Sequence, residues 1–228
     1  MRFGWKAAGL ILLVGMAACG GPESREQQIS ETQPTARMSP YPTIPVGKGP
    51  DALFLTPDER FLYVANVEDT FLSVIDTRKD AVVTTIDGVN YPWGFARLNG
   101  TNLVAVSGWD KGIDIVDFTR HEIVRQKRYA HNLGGIVAGG DGKFLYVVAT
   151  EANKVLKVDA GSLEIVDEYP TGNGPDGIGI SADDAKIYVT NTKDGTISVI
   201  RLDDKSSQTI STGGKPELVH ANHDRTRL

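Results

Sequence analysis

Residues 187–191 read Ile187-Tyr188-Val189-Thr190-Asn191, a run of β-branched and aromatic residues closed by Asn. Similar runs stand upstream: FLYVAN at 61–66, LVAVSG at 103–108 and LYVVAT at 145–150. Aligning Leu62, Leu103, Leu145 and Ile187 gives spacings of 41, 42 and 42. A second series repeats them: Ile75-Asp76, Val116-Asp117, Val158-Asp159 and Ile200-Arg201. A third opens each unit with GPDALFL, YPWGFAR, NLGGIVA, GPDGIGI and KPELVHA. Three registers with one period near 40–45 residues, each unit holding several short strands, are the pattern of propeller blades.

One unit can be read strand by strand. ALFL (52–55) is strand a, FLYVAN strand b, FLSVID strand c and AVVTTI (81–86) strand d. The turns TPDER, VEDT and TRKD separate them, rich in the residues that favour tight turns. Helical repeats of this length need long segments of 3.6-residue period, and none is present. The expected fold is all-β: a β-propeller of four-stranded antiparallel blades, four of them complete, with partial blades at both ends. TIPVG (43–47) matches the TTIDG that ends the first unit and is expected to be a lone strand d. A fifth unit starts at Lys215. The arrangement is expected to be an open arc, a truncated seven-bladed ring in preference to a small closed one.

The unit resembles the YVTN β-propeller repeat, which Tyr188-Val189-Thr190-Asn191 spells out. The resemblance covers about 42–228 and implies a seven-bladed ring. It also implies kinship with lactonase-type propellers and with haem-holding, nitrite-reductase-like ones.

The first 18 residues have another character. Arg2 and Lys6 precede an apolar stretch from Ala7 to Ala18, too short for an ordinary spanning helix, which reads as an export signal. The only cysteine, Cys19, follows Met16-Ala17-Ala18, and this end resembles a bacterial lipobox. The alternative is an ordinary signal peptide with a stray cysteine. Lipidation at Cys19 would anchor the chain stably, since each buried CH₂ contributes about 0.8 kcal/mol. Gly20 in place of Asp then suggests the outer membrane. Residues 19–41 read as lipidated Cys and flexible tether, because they are too poor in apolar residues to offset the entropy of ordering. The propeller domain is assigned to 42–228. A bacterial cell envelope, at the outer membrane or its periplasmic face, is the expected location.

Composition narrows the function. The chain has 228 residues and a net charge of −5, a poor match to nucleic acid, whose phosphates reward a basic surface. One cysteine excludes a disulfide framework and a multi-thiolate zinc site. No GxSxG, HExxH, CxxCH or P-loop pattern occurs, so no catalytic residue, metal ligand or cofactor is assigned. In propellers the d–a and b–c loops gather at one mouth of the central channel. Asp51, Trp93, His131 and Asp176 fall at d–a positions and Trp109 in a b–c loop. Asp51 and Asp176 are expected to cap turns, and Asn66 and Asn191 to bond nearby backbone. Trp93, Trp109 and His131 break the repeat and are the ligand-binding candidates, with Asp51 and Asp176 beside them. His220 and His223 have a spacing that suits no tight chelate. The function favoured is a membrane-anchored extracytoplasmic module that binds a protein, peptide or polysaccharide through its loop face. The alternatives are a lactonase-type hydrolase and a haem-handling propeller with His131 as ligand.

Overall fold

The computed structural model describes residues 43–220. The segments read as export signal and tether, Cys19, His223 and Leu228 lie outside the described residues. Sixteen strands form four sheets, each an antiparallel meander of four in sequence order. The first blade is β1 (Pro50–Leu55), β2 (Phe61–Asn66), β3 (Phe71–Asp76) and β4 (Ala81–Asp87). The second is β5 (Pro92–Leu98), β6 (Leu103–Gly108), β7 (Gly112–Asp117) and β8 (Glu122–Arg128). The third is β9 (Leu133–Ala138), β10 (Phe144–Ala149), β11 (Lys154–Asp159) and β12 (Ile165–Pro170). The fourth is β13 (Pro175–Ile180), β14 (Lys186–Asn191), β15 (Thr196–Arg201) and β16 (Ser207–Ser211).

The middle strands bury both faces, which is why they read as nearly continuous apolar runs. In β6, Val104 and Val106 join Tyr63, Leu72 and Val74 of the first blade. Ala105 of the same strand, with Ile113 and Ile115 of β7, joins Leu145, Val147 and Leu156 of the third blade. The core is therefore a series of seams between consecutive blades. A third seam packs Tyr146, Val148 and Val155 against Ile187, Val189 and Ile200.

Hydroxyls clamp the seams. Ser107 Oγ donates to Gly134 O at 2.6 Å, and Thr190 Oγ1 donates to Glu217 O at 2.9 Å. At the other end of the blades, Tyr63 OH reaches Phe118 O at 3.1 Å and Tyr129 OH reaches Leu163 O at 2.8 Å. Inner strands approach so closely that a Cβ on Gly177 would lie 2.4 Å from Glu217 O, so glycine is required there.

Three expectations are corrected. Residues 43–49 form no strand, because each described strand c already carries its own strand d, leaving TIPVG no ladder to join. Residues 215–220 start the fifth unit without strand structure. They still occupy the position of an inner strand, held by bonds from Thr190 to Glu217 O and from Thr192 to Pro216 O. In the second blade, Val104 and not Leu103 is the counterpart of Leu62: Val104 pairs with Val116 as Leu62 pairs with Ile75. The missing residue of this 41-residue unit is lost from the b–c loop, where Trp109, Asp110 and Lys111 alone connect β6 to β7.

Candidate channel-mouth site

Asp51, Trp93 and Asp176 each follow the first residue of an inner strand, in β1, β5 and β13, and are not in the loops before them. Gly134 holds the same position in β9, and Glu217 holds it in the fifth unit. The position forms a partial ring whose members carry carboxylate, indole, hydrogen, carboxylate and carboxylate. Pleating points alternate residues of an inner strand to the same side, so one register position lines one level of the channel.

A cavity of about 350 Å³ opens among these strands, lined by Asp51, Trp93, Phe95, Asp176, Leu218 and their neighbours. Leu53, also on its wall, is 60% exposed. Burial raises the Asp176 carboxyl above the usual carboxylate range; the Glu217 and Asp51 carboxylates add to the rise and the Trp93 indole opposes it. The Asp176 carboxyl therefore lies in the field of the other two carboxylates. Gly134 lies close against its neighbours: a Cβ there would stand 3.2 Å from both Asp176 O and Thr150 Oγ1 and 3.5 Å from Asp176 Oδ1.

Trp109 is not on the cavity wall. It packs edge-on against Trp93, ring centroids 5.4 Å apart, and both are half-buried. Trp109 thus buttresses the residue that faces the channel. His131 lies half-buried in the d–a loop of the third blade and is not on the cavity wall. Among the described residues, no group of three or more His, Cys, Asp or Glu side chains is placed to hold a metal ion.

The turn-capping expected of Asp51 and Asp176 belongs to other acids. Asp69 Oδ2 accepts Lys48 N–H at 2.5 Å, and Asp194 Oδ2 accepts Asn173 N–H at 2.7 Å. Asn66 and Asn191 are fully buried. Asn66 Nδ2 donates to Phe71 O and Ser73 Oγ, both at 3.1 Å. Asn191 Nδ2 donates to Thr196 Oγ1 at 3.0 Å and Ser198 Oγ at 2.9 Å. Both hold the corner; Asn66 bonds nearby backbone as expected, whereas Asn191 bonds side-chain hydroxyls instead. Freed of turn duty, Asp51 and Asp176 are available to a ligand.

Glu217 shares the column of Asp51 and Asp176; the sequence places it at a d–a position with them, without marking it as a ligand candidate. One feature escaped sequence reasoning. Asp114 stands in GIDIVD where the first and fourth blades have Ser73 and Ser198, and it is only 1% exposed. Arg128 Nη1 donates to Asp114 Oδ1 at 2.7 Å, Gln126 Nε2 donates to it at 2.9 Å, and Arg128 Nε pairs with Asp110 at 2.9 Å. Burial raises the Asp114 carboxyl, opposed by its bonds from Arg128.

Residues 130–227 match the family model of YNCE-like β-propellers. The described residues have a β-propeller fold. This propeller is similar in structure to hydrazine synthase of Kuenenia stuttgartiensis, at a TM-score of 0.64 and 20% identity over 76% of this chain. It is also similar to a functionally unknown protein from Desulfotomaculum acetoxidans, at a TM-score of 0.68 and 16% identity over 79% of this chain. The β-propeller domain of Cps50 (Swd1) from Myceliophteria thermophila matches at a TM-score of 0.67 and 14% identity over 81% of this chain. The propeller spans 53%, 62% and 62% of those three chains. At such identities the likeness concerns the fold alone. No curated protein matches the sequence.

Proposed function

We propose that this propeller is a binding module whose channel mouth takes a cationic side chain, lysine or arginine, presented by a peptide or protein partner. The observation that carries this reading is the ring position itself. It sets the Trp93 indole beside Asp176, with Asp51 on the same cavity wall, and the remaining walls are largely apolar. An indole attracts a cation through its π face, and a partly desolvated carboxylate strengthens the attraction. The bulk charge of −5 would favour encounter with a basic partner. We place the module on the outward side of a bacterial envelope, held by a lipid on Cys19.

Titration of the full chain with a tri-lysine peptide and with its Nζ-acetylated counterpart tests the site. The unmodified peptide is expected to bind, and the acetylated one to bind at least tenfold more weakly. Trp93→Ala is expected to cost about 2 kcal/mol of that binding. Equal binding of both peptides would overturn the reading. Labelling with a radioactive fatty acid tests the anchor separately. Uptake that is lost in Cys19→Ser supports it, and absence of uptake by the natural chain refutes it.

A further inference from the structure

The a–b and c–d turns lie at the opposite end of the blades from the acidic mouth, and they enclose a second cavity. This one, of about 390 Å³, sits between the first and second blades and is lined by Arg60, Phe61, Arg97, Asn102, Phe118 and Asp58 among others. The volume falls in the range of about 300–1,000 Å³ usual for small-molecule sites.

Its charges are unbalanced. The described residues form ten ion pairs, and neither Arg60 nor Arg97 belongs to any of them. In an acidic protein, two guanidinium groups in one cleft with no ion pair among the described residues are an electrostatic anomaly. The acid of the lining, Asp58, is committed to its own turn. It accepts Thr56 Oγ1–H at 2.6 Å and the Arg60 N–H at 3.3 Å. Those hydrogen bonds keep it below the usual carboxylate range, so it is ionised and partly offsets the arginines. Asn102 lines the same wall.

Phe61 and Phe118 supply the aromatic part of the wall, beside Thr56, Pro57 and Thr119. Phe61 is held edge-on by His121, ring centroids 4.6 Å apart, and the Arg60 guanidinium lies 5.0 Å from the Phe61 centroid. Phe118 packs on Phe54, ring centroids 5.6 Å apart, and its carbonyl is fixed by Tyr63 OH. A planar guanidinium matches the oxygens of a carboxylate or phosphate with paired donors, and an adjacent ring surface suits a flat organic body.

We infer that this cleft between the first and second blades binds a small aromatic oxyanion, its anionic group on Arg60 and Arg97 and its ring against Phe61 and Phe118. The site is separate from the channel mouth and opposite to it in charge preference.

Titration of the full chain with phenyl phosphate, inorganic phosphate and benzylammonium, followed by calorimetry, tests the inference. Phenyl phosphate is expected to bind saturably, inorganic phosphate at least tenfold more weakly, and benzylammonium not at this site. Arg60→Gln and Arg97→Gln are each expected to weaken phenyl phosphate about tenfold without lowering Tm, while Lys193→Gln, in the exposed b–c loop of the fourth blade, leaves it unchanged. No saturation by phenyl phosphate, or equal affinity in the Arg60→Gln/Arg97→Gln double variant, would overturn the site. Equal affinity for the two phosphates would overturn the aromatic part of the ligand assignment. Trp93→Ala leaves phenyl phosphate binding intact, so failure here and failure at the channel mouth are read independently.

Discussion

The first and fourth blades share a corner that the second and third have lost. In the first, Gly47-Lys48-Gly49-Pro50-Asp51 meets Asn66, Asp69 and Ser73; in the fourth, Gly172-Asn173-Gly174-Pro175-Asp176 meets Asn191, Asp194 and Ser198. Each residue of one corner lies 125 positions from its counterpart, and two hydrogen bonds recur: a backbone N–H to Asp69 or Asp194, and an Asn amide to Ser73 or Ser198. In the second blade the counterparts of Gly49, Asp51, Asn66 and Ser73 are Tyr91, Trp93, Gly108 and Asp114; in the third, Gly134, Ala149 and Leu156 replace the last three. The comparison teaches that one scaffold position can be closed by a buried polar corner or opened for other work. Trp93 and Gly134 stand where the corner is absent.

The Asp114–Arg128 pair is the second blade's substitute for the buried serine and is the most costly place to break the comparison. Arg128→Ala leaves a buried carboxylate with Gln126 as its remaining donor, and a loss of about 3 kcal/mol is expected at neutral pH. The sign of its pH dependence is fixed. A carboxyl whose folded pKa lies above its unfolded one costs stability as pH rises past the unfolded value, and the cost is complete above the folded value. Removing Arg128 raises that folded value further, so the deficit shrinks as pH falls towards 4. Urea unfolding of both forms across this range measures it, and a deficit that grows on acidification contradicts the account.

Transplanting the corner is the next test. Gly108→Asn should not recreate it, because a Cβ at Gly108 would stand 2.7 Å from Asn90 O and 2.8 Å from Asp110 Oδ1. The expected loss is about 2 kcal/mol from overpacking against backbone. Asn191→Ala, which strips two donors from the intact fourth corner, is expected to cost about 1–2 kcal/mol. Thermal melts rank these effects, and a Gly108→Asn variant as stable as the natural chain would show that the second corner is open by history and not by space.

Tyr91→Gly should sharpen the comparison in the other direction. Tyr91 adopts φ 47°, where Gly49 and Gly174 have φ 59° and 63°. A left-handed backbone costs a residue with a side chain about 1–2 kcal/mol, so restoring glycine is expected to stabilise by about 1 kcal/mol. The smallest effect expected is at Asp176. Asp176→Asn removes a carboxylate that is partly buried and repelled by Glu217 and Asp51, so it should raise Tm slightly at neutral pH. The gain vanishes below the unfolded carboxyl pKa, where both forms are uncharged. The same variant is expected to weaken tri-lysine binding, and a tighter complex would count against the acidic mouth.

The sequence by itself determined the blades. β2 and β3 run from Phe61 to Asn66 and from Phe71 to Asp76, the boundaries that alternating apolar runs and turn residues specify. Repetition makes this possible, since each unit restates the same local pattern of propensity and turn chemistry. It also marked Trp93 as a departure from the repeat. Only the tertiary structure decided what the departures do. Trp93 faces the channel while Trp109 stands behind it, and His131 stays apart from both, because which side of a blade a loop residue reaches depends on the blade packed next to it. Asp51 and Asp176 read as turn formers, yet Asp69 and Asp194 take that duty from the neighbouring loop. TIPVG has the composition of a strand, but a strand needs a partner whose hydrogen-bonding edge is free. Such pairing is a property of the assembled sheets, and no local pattern in the chain encodes it.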